Sequence, residues 1–368
     1  MTPLGNAGAG FQSKEIPLHR TAEHIRSTGP VDLADRLNRP LRIGRRTVSK
    51  RLVLAPLSKI GHVAFRDLVA RFGGFGLLFS GMCSAPAVAG GGDTCESFRH
   101  GSHESGYLVC QLFGNDPRFM ADAARRVESV GMFGVDLNFG CSVKAVCRRN
   151  CGAALLRQPP LAGSIVEAVR RAVTLPVFVK FRTGWSDDIQ FAVDMARRFE
   201  DAGADALTFH PRVAPDRRTR RPEWSHIARV KAAVSIPVFG NGDVFDRDDC
   251  LRMLQRTGCD GVALGRLAIA RPWVFAEWTE GLAPDERIYR DTVRELIDRL
   301  ASAFEPQTGL RRFNRFAAYY AANFRFGNML HGLVNRAASL QEVPEILERF
   351  FDTRPEIVER PRFEALGR

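Results

Sequence analysis

Asn138, Gly140 and Cys141 stand together in a stretch that could carry out chemistry, Gly134-VDLNFGCSVKAVCRRNCGAALL. A predicted hydrophobic strand, 134–137, leads into these residues. A basic loop follows, and Gly152 comes 11 positions after the cysteine. An amide, a thiol and a flexible turn therefore lie at the carboxyl end of a predicted buried strand. In a barrel of alternating strands and helices, that end is where chemistry is done. A thiol with an ordinary pKa of about 8.5 is a usable acid near neutral pH.

The same stretch contains two further cysteines, Cys147 and Cys151. Together with Cys83 at another predicted strand end, Cys141 and these two residues could supply four thiolates to an iron–sulfur cluster or a zinc ion. The spacing C-x5-C-x3-C is not a common ligand spacing, however. The sequence therefore favours incidental or redox-active thiols over a metal site.

Polar or turn residues end seven of the predicted strands, including the one that leads to Cys141. A single polar strand end usually has a structural explanation, whereas seven that converge on one barrel mouth indicate a site. A basic ring that contains Lys180, His210 and Arg266 suits a phosphate together with an electron-rich ring system. The strand ends are Ala55-Pro56, Gln111, Asn138 with Cys141, Lys180 with Arg182, His210 with Arg212, Asn241-Gly242-Asp243 and Gly265-Arg266.

The glycines after the last two strands predict a phosphate site. Backbone N–H groups can approach an anion closely at Gly242 and Gly265, and a helix N-terminus that follows adds positive potential. Lys180 and His210 would then lie near a flavin ring, whose anionic reduced form is favoured by positive charge, and Gln111 would lie at the ring edge. This layout is typical of FMN-dependent barrels.

The elements that must position these residues alternate between strands and amphipathic helices. Helical spacing of apolar residues, often ended by glycine, predicts helices in 116–131, 164–173, 189–203 and 250–258. Eight strand–helix units predict a (β/α)8 TIM barrel rather than a doubly wound sheet. In the second unit, residues 86–106 predict a long loop over the mouth. The predicted strands are 51–58, 76–85, 107–114, 134–142, 176–184, 206–213, 237–244 and 261–269.

After Trp278 only helical periodicities remain, which predicts a C-terminal all-helical domain. We therefore expect a loose N-terminal extension (1–29), a catalytic barrel (30–280), a helical domain (281–355) and a C-terminal tail (356–368). Residues 30–50 predict a hairpin that closes the bottom of the barrel.

Composition narrows the classes of protein. The 368-residue chain has a formal net charge of +12, which favours a polyanionic partner such as nucleic acid. No apolar run approaches the ~18 residues that span a bilayer. The first residues lack the pattern of a secretory signal, and 8 scattered cysteines suit reduced thiols. We expect a cytoplasmic protein.

Several motifs in order resemble those of the dihydrouridine synthases, flavin enzymes that reduce uridine in RNA. The stretch N-x-G-C, a basic loop and G-x-x-L-L resembles their active-cysteine loop, and His210 to Trp224 resembles their HxR…W block. The resemblance extends over most of residues 40–350, including the helical module. Its other blocks are RLVLAPLSKIGHVAFRDL, CQLFGNDP, VKFRTGW, FGNGDV and ALGRLAIARPWVF.

The resemblance implies a tRNA-dihydrouridine synthase with FMN as cofactor and NADPH as reductant. Cys141 would be the general acid that protonates C5 of the uracil while hydride from the flavin N5 reaches C6. Asn138, Arg182 and Arg212 would bind the substrate. The residues implied to bind FMN are Ala55, Pro56, Gln111, Lys180, His210, Asn241, Gly242, Asp243, Gly265 and Arg266.

The RNA must be held away from the flavin, and tRNA is the expected partner, with no membrane and no obligate protein partner implied. Arg311 and Arg315 on the predicted helical domain suit a phosphate track, together with Arg312 and Arg325. A basic loop after the sixth strand contains Arg217, Arg218, Arg220 and Arg221. Among the aromatics, Tyr319, Tyr320, Phe324 and Phe326 are expected in the core.

Three alternatives stay open on the sequence. The first is an FMN barrel reductase that acts on a small molecule, which the basic helical domain disfavours. The second is a dihydrouridine synthase that acts on rRNA. The third is a non-catalytic RNA-binding protein on an enzyme scaffold, which the joint presence of Cys141, Lys180 and His210 disfavours.

Overall fold

A computed structural model describes residues 32–91, 95–214, 216 and 220–363 of this chain. Within these residues, eight parallel strands follow one another in chain order around a closed barrel, the last pairs with the first, and the short strand Cys83–Ser84 is not one of the eight. The predicted extension 1–29 lies outside the described residues. The strands are β1 (Leu41–Ile43), β2 (Arg46–Val48), β3 (Leu52–Leu54), β4 (Leu77–Phe79), β5 (Cys83–Ser84), β6 (Leu108–Phe113), β7 (Gly134–Phe139), β8 (Val177–Gly184), β9 (Ala206–Val213), β10 (Val238–Asn241) and β11 (Gly261–Leu264).

Eight of these strands match the eight predicted ones, so the predicted TIM barrel is confirmed. The observed strands are often shorter than the predicted ones: the first predicted strand, 51–58, is β3 with three residues, and the last, 261–269, is β11 with four. Their apolar side chains alternate between two clusters. In β8, Val177 and Val179 pack outward against the helices, whereas Phe178 packs inside the barrel with Phe79 and Phe239.

Helices surround the barrel, and several begin where an aspartate accepts a backbone N–H. Asp116, Asp188 and Asp246 cap three of them in this way, which satisfies donors that a helix start leaves unpaired. The helices up to residue 280 are α1 (Leu33–Leu37), α2 (Val63–Phe72), α3 (Ala85–Ala89), α4 (Pro117–Ser129), α5 (Lys144–Cys147), α6 (Pro159–Ala172), α7 (Ile189–Asp201), α8 (Ser225–Ala233), α9 (Arg247–Thr257), α10 (Arg266–Ala270) and α11 (Val274–Glu280).

The predicted hairpin at the bottom of the barrel is present. β1 and β2 pair antiparallel, and their apolar residues join the cluster inside the barrel. Arg46 donates to the carbonyl of Phe133, the residue before β7, at 2.8 Å. The hairpin therefore covers the amino ends of the strands and leaves the opposite end open for a site.

The segment predicted as a loop, 86–106, contains short turns of helix: the end of α3 and 3₁₀ helices at Glu96–Phe98 and Ser102–Glu104. A fully buried ion pair holds it, since Nε of Arg66 lies 2.7 Å from Oε1 of Glu104. Ser97 lies against Gly81, just after β4, so the segment lies at the carboxyl end of that strand.

The C-terminal part of the described chain is helical, as predicted. Tyr320 donates to the carbonyl of Tyr289 at 2.6 Å in a buried aromatic core, and the helix Glu286–Ala303 packs on α2 of the barrel. The division at residue 280 into two domains stays a prediction. In the described residues, no helix is long and apolar enough to cross a membrane. The helices are α12 (Glu286–Ala303), α13 (Pro306–Tyr320), α14 (Gly327–Val334) and α15 (Val343–Asp352).

Candidate active site

The inward positions of the barrel change from apolar to polar toward the carboxyl ends of the strands. In β8, Phe178 is followed at alternate positions by Lys180 and Arg182; in β9, Ala206 is followed by Thr208 and then His210. Because successive side chains point to opposite faces of a strand, these groups share the interior. Gln111, Asp136, Asn138, Arg212 and Asn241 are further buried polar residues of the barrel strands. The polar strand ends that the sequence predicted therefore come together at one mouth.

The loop that contains Cys141 is tied to the barrel at its start. Oδ1 of Asn138 accepts the backbone N–H groups of Gly140 at 3.1 Å and of Cys141 at 2.9 Å. Nε of Arg182, on the next strand, donates to the carbonyl of Gly140 at 2.7 Å. Cys141 is partly exposed as a residue, so its backbone is held by hydrogen bonds while the residue stays partly open to solvent.

Gly152 explains the spacing of 11 residues in this motif. Its φ is +62°, and an added Cβ would lie 2.6 Å from the carbonyl oxygen of Cys141. The N–H of Ala153 donates to that same oxygen at 2.9 Å. A residue with a side chain at position 152 would thus displace the backbone of Cys141, and glycine is required for both conformation and space.

The other thiols do not assemble around Cys141 as a metal site. Cys147 donates to the carbonyl of Cys141 at 3.5 Å, Cys151 to the carbonyl of Arg149 at 3.2 Å, and Cys83 to the carbonyl of Gly81 at 3.4 Å. Among the residues that the structure describes, no three His, Cys, Asp or Glu side chains are grouped to bind a metal ion.

Gln111 and Asn138, expected at the flavin and the uracil, lie in a buried hydrogen-bond chain. Nε2 of Gln111 donates to Asp136 at 2.6 Å, and its Oε1 accepts from Nδ2 of Asn138 at 2.8 Å. These bonds use one of the two N–H groups of each side-chain amide. Asp136 was not among the predicted site residues. The sequence did contain a signal for Asp136, because it is a charged residue within the apolar run of the predicted strand 134–137.

Burial, together with neighbouring charges, shifts the pKa values of several groups in the mouth. Burial, with Arg182 nearby, lowers the pKa of Lys180 from its usual range, and burial raises the pKa of Asp136. Burial beside Arg212 lowers the pKa of Arg182 to about 10. Burial, together with Arg182 and Lys180, holds the pKa of His210 well below its usual value, so its imidazole is neutral near pH 7.

Arg182 also has a donor without an acceptor. Its buried Nη1 has no hydrogen-bond partner among the described residues. A buried guanidinium N–H is costly to leave unpaired. A ligand that offers a carbonyl or anionic oxygen at this point would satisfy it.

The predicted phosphate loops lie side by side after β10 and β11. Gly242 has φ +122°, and a Cβ there would lie 2.8 Å from the ring of His210. At Gly265, a Cβ would meet nothing within 4 Å, so the space beside the start of α10 is open. Nδ2 of Asn241 donates to the carbonyl of Ala263 at 2.7 Å and links the two strands. The helix α10, which begins directly after Gly265, has only five residues.

Asp243, expected at the cofactor, joins two arginines. Its carboxylate lies 2.7 Å from Nη2 of Arg212 and 2.5 Å from Nη2 of Arg266. Arg212 also donates to the carbonyl of Arg220 at 2.8 Å. The positive charges of the two guanidinium groups offset the negative charge of this carboxylate, which would otherwise repel a phosphate. On the other side, Ala55 begins the segment after β3 and donates its N–H to Leu264 at 2.8 Å; Pro56 follows it.

The predicted RNA-binding arginines differ in availability. Arg311 and Arg315 are exposed on α13. Arg312 instead donates to the carbonyl of Lys59 and forms an ion pair with Glu96, and Arg325 pairs with Glu356 at 2.8 Å. Of the basic loop, Arg217 and Arg218 lie outside the described residues, and Arg220 pairs with Asp216.

The prediction that Phe326 lies in the core is wrong. Its side chain is 74% exposed, and Met329 beside it is 50% exposed. Tyr320 and Phe324 are buried, as predicted, and Tyr319 is partly buried. Phe326 precedes α14 in a turn of the chain, where helical periodicity cannot indicate which side faces the core.

Comparison with known sequences identifies the family. The sequence model of dihydrouridine synthase (Dus) matches residues 53–354. This chain belongs to the dihydrouridine synthase family. Over 321 residues it is 33% identical to a probable tRNA-dihydrouridine synthase 1 of Synechocystis sp., covering 86% of this chain and 90% of that protein. Over 321 residues it is also 33% identical to tRNA-dihydrouridine synthase B of Pseudomonas aeruginosa, covering 85% and 96%.

Solved structures with low sequence identity share the fold of this dihydrouridine synthase family member. The old yellow enzyme homologue from Zymomonas mobilis superposes with a TM-score of 0.52 at 14% identity, covering 68% of this chain and 94% of that chain. Morphinone reductase in complex with tetrahydroNAD gives 0.51 at 16% identity, with 68% and 92% covered. Both likenesses support the TIM barrel.

Proposed function

We propose that this protein reduces uridine in tRNA to 5,6-dihydrouridine, with FMN as the bound cofactor and NADPH as the reductant. The observation that supports this best is the position of Cys141, a partly exposed residue. It is held by Asn138 and Gly152 at a barrel mouth whose interior is cationic. Family membership and tRNA-dihydrouridine synthases at 33% identity support the reaction class.

The residues of the mouth fit FMN. Lys180 supplies positive charge, neutral His210 supplies a ring nitrogen that can donate or accept, and Gly265 leaves open space beside Arg266 for a phosphate. We assign FMN binding to these residues together with Ala55, Pro56, Gln111, Asn241, Gly242 and Asp243. When bound, FMN supplies the hydride that is added to C6 of the uracil.

Reduction of the C5=C6 bond also needs a proton at C5, and we assign that proton to the thiol of Cys141. A positioned general acid must keep its proton until the transfer. We assign Arg182 to the uracil, because its buried Nη1 can donate to a carbonyl oxygen of the base. Asn138 can donate its remaining amide N–H to the same ring.

The tRNA would be held beyond the mouth by exposed groups of the helical region. Arg311 and Arg315 lie on α13 and can contact phosphates. Phe326 offers an exposed ring on which a base can stack, with Arg325 5.7 Å from its centroid. Arg212 forms an ion pair with Asp243, so we propose that Arg212 lines the site rather than binds the substrate. Because tRNA is the proposed substrate, the cytoplasm is the proposed location.

Replacement of each loop cysteine tests the acid. The parent protein should be yellow and release FMN on denaturation. Cys141→Ala should keep FMN and NADPH oxidation but oxidise its reduced flavin with tRNA ~10²–10⁴-fold more slowly, the usual cost of a lost general acid. Cys147→Ala and Cys151→Ala are the matched controls and should stay near the parent rate.

Single-turnover oxidation of each reduced variant by unmodified tRNA separates the outcomes. If the oxidation rate fell equally in all three variants and the parent protein contained iron or zinc, the loop would be a metal site and Cys141 would not be the general acid. Oxidation of the parent by a small enone but not by any RNA would favour the small-molecule reductase.

A further inference from the structure

Asp136 is a fully buried carboxyl group that none of the roles assigned above uses. It lies inside the barrel on β7, two residues before Asn138. Its Oδ2 accepts from Gln111 at 2.6 Å, and its Oδ1 is buried with no hydrogen-bond partner among the described residues. A buried carboxyl group is costly to keep, so its presence here calls for an explanation.

The carboxylate sets the direction of the whole hydrogen-bond chain. Above a pH of about 7, where Asp136 is ionised, its carboxylate only accepts, so it must face the amide nitrogen of Gln111. The amide oxygen of Gln111 then faces the nitrogen of Asn138, at 2.8 Å. This leaves the oxygen of Asn138 directed at the N–H groups of Gly140 and Cys141, at 3.1 and 2.9 Å.

A reversal of this chain would release the cysteine loop. If the oxygen and nitrogen of Gln111 exchanged places, Asn138 would have to turn its oxygen toward Gln111. Its NH₂ group would then face the N–H of Cys141, and two donors cannot bond. The acceptor-only end at Asp136 and the donor-only end at the backbone therefore specify one arrangement.

We propose that Asp136 is a positioning residue, whose carboxylate, acting through Gln111 and Asn138, holds the backbone of Cys141 where the thiol can deliver its proton. The part that concerns proton delivery rests on the function proposed above. The part that concerns the loop stands on the hydrogen bonds alone. The position of Asp136 on the same interior face as Lys180 adds support, since each alters the ionisation of the other.

The single substitution Asp136→Asn tests the direction of the chain. Asparagine has nearly the same shape but can donate, so the reversed arrangement becomes available. At about pH 8, where Asp136 is ionised, we expect faster alkylation of Cys141 by iodoacetamide in this variant than in the parent, quantified by mass spectrometry of its peptide in the FMN-loaded protein. Oxidation of the reduced enzyme by tRNA should slow by about 10- to 100-fold, as for a catalytic group misplaced by up to 1 Å. The tRNA concentration for half-maximal rate should stay unchanged.

The double substitution Asp136→Asn/Gln111→Glu is the rescue. It places the acceptor-only group at position 111, where it receives N–H groups from both neighbours, so Asn138 keeps its direction. Alkylation of Cys141 should return to the slow parent rate. Asp205→Asn is the matched control, because Asp205 also accepts hydrogen bonds, from Arg170 and Val177, but at the opposite end of the barrel. Asp205→Asn should leave unchanged both the alkylation rate of Cys141 and the rate at which tRNA oxidises the reduced enzyme.

Each outcome decides the proposal. Parent-like alkylation in Asp136→Asn, or alkylation in the double variant as fast as in the single one, would overturn it. Failure of both variants to fold would do the same, whereas a single variant that fails while the double one folds with a protected thiol would support it. If tRNA does not oxidise the parent enzyme, the proposed function fails, and the alkylation rates still decide the role of Asp136.

Discussion

Gly152→Ala should separate the position of Cys141 from the stability of the fold. Ordinary contacts of a Cβ begin at about 3.4 Å, whereas the new Cβ would lie 2.6 Å from the carbonyl oxygen of Cys141. That carbonyl must therefore move by roughly 0.8 Å, and a misplacement of ~1 Å can cost about 10²-fold in rate. The left-handed backbone adds about 1–2 kcal/mol of strain. We expect tRNA-dependent oxidation of the reduced enzyme to slow by ~10- to 100-fold.

Gly258→Ala is the control for the strain. Gly258 ends α9 with φ +65°, close to the +62° of Gly152, and a Cβ there would meet nothing within 4 Å. Urea unfolding should report a loss of stability for both variants, larger for Gly152→Ala because of its added contact, while stopped-flow flavin absorbance should report slow oxidation by tRNA only for Gly152→Ala. Equal oxidation rates in the two variants would refute the claim that Gly152 positions the acid.

Two further predictions follow from charge. Arg311→Glu with Arg315→Glu should weaken tRNA binding and lower the log–log salt slope by about one per lost phosphate contact, with flavin reduction by NADPH unchanged; full-strength binding would remove α13 from the proposed grip. The pKa of Asp136 is raised from 3.8 to about 7. The folded protein therefore keeps a proton that the unfolded chain loses, and stability should fall as pH rises from about 4 to about 7. Asp136→Asn should flatten that dependence in urea unfolding, and an unchanged dependence would contradict the assignment.

The barrel could be predicted from sequence because its signals are local. Alternating apolar strands and amphipathic helices specify the layers, and polar residues at strand ends specify the mouth. Gly152 was also recognisable by its spacing, although the reason for it, the carbonyl of Cys141 next to its Cα, is visible only in three dimensions.

The features of the site that the sequence did not predict depend on contacts between distant segments. Arg312 was expected to contact RNA phosphates, yet it forms an ion pair with Glu96, which lies 216 positions earlier in the chain. The hydrogen-bond partners of Gln111 come from the neighbouring strand, so its amide could not be assigned from the sequence. Phe326 lies at a bend between helical segments, where periodicity gives no direction.

Mapping of dihydrouridine in cellular tRNA tests the central claim most directly. A strain that lacks this protein should lose dihydrouridine at one or more tRNA positions, as measured by mass spectrometry. The wild-type gene should restore the modification and the Cys141→Ala gene should not. Unchanged dihydrouridine in every tRNA of the deletion strain, or full restoration by Cys141→Ala, would contradict the account.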